Sequence, residues 1–299
     1  MLILLLPIAC SSAKGSKGSN EPTLINGKEV PVADWPFVVR IKTGGSGCTA
    51  SVVGPKVVLT AAHCGSNGAT STFSINGQGY RGKVYRSPLY PGKDHDVAAI
   101  ILDQAISKDV VGRYVHVGGT NVRGQKRLLM GYGCIRPGGG GGNDGKLRAG
   151  YAEITGDSGY DIVSGKEGQA ALCFGDSGGP MFDDSNDSND STDQGNLNPD
   201  VVKLLAINSK GNIRWRNYNA SLVNAESQRF LVSVGEKYSV QICGINGSDE
   251  TCGDDSTPPN PPTPPTPPTP PTPPTPPGQC NEETKRDIIK SLETCLELL

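Results

Sequence analysis

The chain has 299 residues, enough for one large domain or two modest ones, and its formal net charge of −2 gives no electrostatic reason to expect nucleic acid as a partner. Forty glycines and few aromatics suit a turn-rich β protein better than a helical one. Nine cysteines, with no CxxC pair and no Cys/His cluster at metal spacing, exclude the usual cytosolic metal module and imply an oxidising, extracytoplasmic setting with neither metal nor other cofactor.

In chain order, residues 1–10 read as an export signal, since Met1 to Ala9 is apolar but too short to cross a bilayer as a helix. Cys10, with Ala9 before it and Ser11 and Ser12 after it, resembles the lipidated cysteine of a bacterial lipoprotein and would anchor the chain to a membrane. Setting Cys10 aside leaves an even number of cysteines, which favours that reading over an ordinary secretory signal with an incidental cysteine. Residues 11–23 are Ser/Gly/Lys-rich and read as a flexible leader.

From residue 24 to 243 short β-branched runs alternate with Gly, Pro, Asn and Asp. Phe37 to Ile41, Ser51 to Val53, Val57 to Leu59, Val97 to Leu102, Leu128 to Tyr132 and Val201 to Ile207 are strand-like, and only Ala225 to about Lys237 has helical spacing. That pattern predicts an all-β barrel or sandwich domain with one late helix. Within it Asp183 to Asp200 is an Asp/Ser/Asn tract, read as a solvated insertion in preference to a calcium loop, because no EF-hand glycine and terminal glutamate follow.

Residues 244–256 form a cysteine-containing extension, and residues 257–277 a Pro/Thr tract of period three. Proline lacks the amide hydrogen that helices and interior strands need, so the tract should be an extended spacer reaching about 65 Å. Residues 278–299 carry an amphipathic helix pattern from Glu282 to Leu299, which should dock on a partner or on a copy of itself. Cys280 and Cys295 would lie about 22 Å apart on one straight helix, too far for a disulfide.

Three segments carry chemistry. They are Leu59-Thr60-Ala61-Ala62-His63-Cys64, Asp94-His95-Asp96-Val97-Ala98-Ala99 and Cys173-Phe174-Gly175-Asp176-Ser177-Gly178-Gly179-Pro180. A serine hydroxyl needs a base to take its proton during attack, and an imidazole is suited to that by its pKa near neutrality. An adjacent carboxylate fixes the imidazole tautomer, and glycines let backbone amides approach a developing oxyanion. His95 and His116 lack such a context and read as surface residues, while Asp94 competes with Asp96 for the carboxylate role.

In order and wording the three segments resemble the TAAHC, D-[IV]-A and GDSGGP signatures of the chymotrypsin/trypsin-like serine proteases. The resemblance covers roughly Leu24 to Cys243. It implies two antiparallel six-stranded β-barrels with the site between them, and protein or peptide substrates. It also implies a triad of His63, Asp96 and Ser177 and an oxyanion hole from the amides of Gly175 and Ser177. A disulfide between Cys48 and Cys64 follows from it, with Cys134 as the substitute partner for Cys173. Cys243 is read as a partner for Cys252.

Leu24-Ile25-Asn26-Gly27 is similar to the family's mature N-terminus, which implies cleavage before Leu24 and an ion pair between its freed amine and Asp176. Thr23 precedes the cut where a trypsin-activated zymogen would carry Arg or Lys, so some other protease, or a different activation route, is required. With Cys10 lipidated, that cut would release a tethered zymogen. Ala171 stands where trypsin-like enzymes carry the aspartate that receives Arg or Lys, and Leu172, Ser209 and Gly211 resemble the rest of the pocket. The expected cleavage is therefore after uncharged, small to medium apolar residues. Two other functions compete: a surface adhesion or interaction scaffold that does not use its triad, and an acyl hydrolase, for which no GxSxG elbow in a strand–turn–helix setting is evident.

Overall fold

The computed structural model of the chain describes residues 24–139, 141, 144–184, 197–247, 252, 286 and 290. Fourteen strands are found among them: β1 (Lys28–Glu29), β2 (Val38–Thr43), β3 (Ser46–Gly54), β4 (Val57–Thr60), β5 (Thr70–Ile75), β6 (Gln78–Arg86) and β7 (Ala98–Leu102), then β8 (His116–Val117), β9 (Lys126–Gly131), β10 (Arg148–Ser158), β11 (Asp161–Ser164), β12 (Pro180–Asp183), β13 (Lys203–Gly211) and β14 (Asn217–Ser221). The helices are α1 (Lys108–Val111) and α2 (Ala225–Tyr238).

The strands close into two antiparallel barrels, as expected. The first runs β2-β3-β4-β7-β6-β5 and is sealed where β5 pairs β2, with Lys42 opposite Thr72. The second runs β9-β10-β11-β14-β13-β12 and is sealed where β12 pairs β9, with Met181 opposite Leu129. β1 adds to the edge of β10, and β8 pairs β13 in parallel.

Strand β5 shows why half the strands escape a search for apolar runs. Ser71, Phe73 and Ile75 point inward and alternate with exposed Thr70, Thr72 and Ser74, so the segment reads as polar although one face is core. Between the barrels Trp35, Phe37 and Phe182 form an aromatic knot. Trp35 stacks on Phe182 with ring centroids 5.9 Å apart, and Phe37 meets Trp35 edge-on at 5.6 Å. Helix α2 begins at Asn224, whose side chain accepts the Ser227 amide at 2.8 Å, and buries Phe230, Leu231 and Val234.

Three disulfides form, Cys48–Cys64, Cys134–Cys173 and Cys243–Cys252, with Cα separations of 6.2, 5.2 and 5.5 Å. The first part of the acidic tract departs from the expected solvated surface. Asp183 is buried and accepts the Thr120 amide at 2.7 Å, and Asp184 accepts the Tyr151 hydroxyl at 2.5 Å. Both side chains have donors that repay their burial. Residues 185–196 lie outside the described residues, as do the leader with Cys10, the Pro/Thr spacer, Cys280 and Cys295. The chain divides into residues 1–259 and 260–299, and in the second unit Arg286 and Lys290 are helical and exposed. No helix among the described residues is long and apolar enough to cross a membrane.

Candidate active site

His63 sits in the single 3-10 turn Ala62–Cys64 that follows β4. Buried Ala61 and Ala62 and the Cys48–Cys64 bridge to β3 fix that turn, leaving the imidazole exposed. Asp96 enters from the segment before β7 and is only 2% exposed. Its Oδ2 lies 2.7 Å from His63 Nδ1, its Oδ1 accepts the His63 backbone amide at 2.9 Å, and the Ser209 hydroxyl donates to Oδ2 at 2.6 Å. Burial alone would raise the Asp96 pKa, but the His63 side chain, the Ser209 hydroxyl and the His63 amide together hold it below the usual carboxylate range. An ionised Asp96 accepts a hydrogen bond from the N–H at Nδ1, which leaves the lone pair of His63 on Nε2, the nitrogen of a general base.

Ser177 lies on the loop between Cys173 and β12, and both barrels hold that loop. From the first barrel, the Thr49 amide donates to the Ser177 carbonyl at 2.8 Å and the Thr49 hydroxyl to the Gly175 carbonyl at 2.8 Å. From the second, the Gly178 amide donates to the Asn208 carbonyl at 2.7 Å, and the Asn208 amide returns a bond to the Gly179 carbonyl at 2.7 Å. Gly175 has φ +102°, a backbone conformation that a side chain would strain. Among the described residues no protein group accepts the amides of Gly175 or Ser177, and no hydrogen bond joins Ser177 Oγ to His63. Catalytic hydrogen bonds often tighten only when substrate is bound.

Residues 24–227 match the model of one protein family, described as Trypsin. The chain belongs to the trypsin family. It is a serine protease by family, with protein or peptide substrates, and its combination of fold and disulfides is typical of extracellular proteins.

In the protease, Asp176 is fully buried, with Oδ1 accepting the Gly133 amide at 2.8 Å and Oδ2 the Cys173 amide at 2.9 Å. The N-terminal segment is seated beside it in the second barrel. Leu24 is buried among Leu129, Leu172 and Met181, and Ile25 packs against Cys134, Ala171 and Cys173. In this uncut chain no ion pair joins residue 24 to Asp176 among the described residues. Burial raises the Asp176 pKa to about 7, against which the two amides and the charge of Arg148 work.

A carboxyl whose folded pKa is raised contributes stability that is complete below its unfolded value and lost as pH rises through the folded one. Compared with an Asp176→Asn variant, the uncut protease is therefore expected to lose relative stability as pH rises from about 4 to about 7. Melting curves of both proteins across that range check this, and a difference in Tm independent of pH would contradict it.

Of the four residues expected to form a pocket, Leu172 and Gly211 come together. Leu172 Cβ lies 3.7 Å from where a side chain on Gly211 would begin, and the Leu172 amide donates to Asn217 Oδ1 at 2.8 Å. Ala171 is fully buried and supplies no carboxylate. Ser209 does more than the sequence indicates, since its hydroxyl is on Asp96. Ser209→Ala is expected to lower kcat by about 10- to 100-fold with KM nearly unchanged, because a hydrogen bond to a charged group contributes about 1.5–3 kcal/mol. Steady-state kinetics on one peptide substrate would show it, and an unchanged kcat would mean that His63 and its amide suffice.

Reading His95 and His116 as surface residues is corrected. His95 is 0% exposed, held between the Ser87 hydroxyl at 2.6 Å and the Ser227 hydroxyl at 2.7 Å, with Tyr160 edge-on to its ring; His116 is half-buried on β8. Hydroxyl partners from β6–β7 and α2 make His95 a satisfied interior group, and burial lowers its pKa. Asp94 is exposed and pairs with Lys210 Nζ. Thr49 and Asn208 also hold the Ser177 loop, and no sequence motif singles them out.

Proposed function

We propose that the protein is an exported serine endopeptidase that cleaves peptide bonds through His63, Asp96 and Ser177 by way of an acyl-enzyme. The observation that carries this reading is the clamp of buried Asp96 on His63 Nδ1, beside a loop whose Gly175 and Ser177 amides point to no protein acceptor. Ser177 Oγ attacks the scissile carbonyl carbon as its proton passes to His63 Nε2. The oxyanion is held by the Gly175 and Ser177 amides, a donor of this kind being worth about 3 kcal/mol. The imidazolium, stabilised by Asp96, then protonates the leaving amine, and water repeats the sequence to release the acid.

Ala171, Leu172, Ser209 and Gly211 support cleavage after uncharged, small to medium apolar residues. A cationic side chain over Ala171 would be buried without a counter-charge. Activation follows a cut before Leu24 by a protease that accepts Thr23, and the Leu24 amine then pairs with Asp176. Cys10 is the lipid attachment that holds the zymogen at a membrane until that cut, and the tail beyond residue 277 engages a partner or another copy. The buried aspartate clamp counts against the alternative of a scaffold that never uses its triad.

Peptides differing only at the residue before the cleaved bond test this function. Cleavage after Ala, Val or Leu is expected to exceed cleavage after Arg or Lys by about 100-fold, the cost of burying an unpaired charge being several kcal/mol. The active species should begin at Leu24. Efficient cleavage after Arg or Lys alone, or full activity in protein still carrying the lipidated leader, would contradict it.

A further inference from the structure

A groove of about 460 Å³ opens on the outside of the first barrel. Arg40 and Lys42 of β2 form one wall, Thr72 and Ser74 of β5 the other, and Phe73 and Tyr132 line it as well. Arg40 and Lys42 alternate along β2 with buried Val39 and Ile41, so both leave the same outer face. Lys42 stands directly opposite Thr72 in the ladder. Among the described residues neither cation has a hydrogen bond or a carboxylate partner.

Two nearby carboxylates are already committed. Asp144, beside the groove residue Gly145, is forked onto Arg148 at 2.9 and 2.6 Å, and Glu29 holds Lys146 at 2.7 Å. Farther round the barrel, Asp103 holds Arg81 at 2.6 Å. Asp34, exposed on the turn that contains Val32, is not part of the lining. Among the described residues the groove therefore offers two cations without a carboxylate partner and two hydroxyls. A carboxylate satisfies both, and the planar guanidinium of Arg40 can hold it with two bonds.

The groove also has a fixed place relative to Ser177. Arg40 pairs across the β2–β3 ladder with Thr49, the residue that holds the Ser177 and Gly175 carbonyls. Adjacent strands lie about 4.8 Å apart, so the groove begins one strand from the nucleophile loop. Tyr132 in its lining donates its amide to Thr49 Oγ1 at 3.1 Å. Ala171, Leu172 and Gly211 lie on the second-barrel side of that loop. A substrate whose acyl part fills their pocket leaves across the first barrel, toward Arg40 and Lys42.

We propose that this groove is a second recognition site, taking an acidic segment of a polypeptide substrate on the leaving-group side of the cleaved bond. Its carboxylates are held by Arg40 and Lys42, beside the hydroxyls of Thr72 and Ser74. This rests on the endopeptidase reading but is tested without turnover.

The experiment is fluorescence anisotropy on mature Ser177→Ala protein with a labelled peptide, an apolar residue followed by three glutamates on its carboxyl side, against the same peptide with glutamines. The glutamate peptide is expected to bind about ten-fold tighter, consistent with two exposed charge-assisted contacts, and to weaken as salt is raised. Arg40→Gln with Lys42→Gln should bring the two peptides level, and Lys42→Gln alone should cost about three-fold. Lys83→Gln, an exposed charge outside the groove, should change nothing. Equal binding of the two peptides, or an equal loss in Lys83→Gln, would overturn the proposal. So would displacement by a sulfated oligosaccharide that binds at least ten-fold tighter, which would assign the groove to a polyanion. Glutamate-selective binding, with no peptide hydrolysis by the mature protein that retains Ser177, would leave the groove standing and remove the endopeptidase reading.

Discussion

Replacing Ser177 with alanine is expected to lower kcat by about 10⁵–10⁶-fold while leaving the melting temperature unchanged. The first half follows from chemistry. The substitution deletes the nucleophile but keeps the Gly175 and Ser177 amides, so substrate binds and its carbonyl is still polarised. The second half follows from geometry, because Ser177 Oγ has no protein hydrogen bond among the described residues, while the bond that anchors residue 177 runs from the Thr49 amide to its backbone carbonyl. His63→Ala is expected to cost a similar factor, and the double variant no more than either alone, since base and nucleophile act as a unit. A loss of only ten- to a hundred-fold on a defined peptide would mean that another group performs the attack.

Gly178→Ala is expected to destabilise the protein by about 3–5 kcal/mol, lowering its melting temperature by roughly 10 °C or more. A Cβ at this position would lie well under 3.0 Å from Thr60 Oγ1 and from the Thr49 carbonyl oxygen. Those two atoms are themselves joined by a 2.9 Å hydrogen bond, so the methyl group would wedge apart β3 and β4 where the nucleophile loop meets them. Gly178 also has φ +82°, which adds strain of about 1 kcal/mol or more. Gly77→Ala is the control, since Gly77 has φ +81° but open space around it, and only the backbone term of about 1 kcal/mol should appear. Thermal melts of both variants separate packing from strain, and equal losses would refute the wedge.

Much of this architecture is legible in the sequence, and the parts that are not share a cause. Apolar β-branched runs such as Val57–Thr60 and Ala98–Leu102 are buried on both faces and announce themselves. Thr70–Ile75, Gln78–Arg86 and Asn217–Ser221 carry polar residues at alternate or even buried positions, so their pairing depends on neighbours distant in sequence. Asn217 and Asn219 lie fully inside the second barrel because their side-chain amides donate to the Ala170 and Ile162 carbonyls.

The site divides in the same way. His63, Asp96 and Ser177 stand in short distinctive segments, and Cys134 reads as the substitute for the family's downstream partner of Cys173, which this chain lacks. What one side chain does for another across the fold was not readable. Ser209 reads only as a pocket residue, yet its hydroxyl reaches Asp96, and His95 reads as surface because its partners Ser87 and Ser227 are ordinary serines. The groove joins Arg40, Phe73 and Tyr132 from three separate stretches of chain, and no local pattern connects them.

The central claim is that Ser177 is a nucleophile activated by His63, and reaction of the mature protein with a fluorophosphonate probe tests it most directly. Peptide mass spectrometry should find the probe on Ser177 in protein beginning at Leu24, with no labelling in Ser177→Ala and strongly reduced labelling in His63→Ala. An unlabelled Ser177 in that mature protein, or labelling that persists in Ser177→Ala, would contradict the assignment.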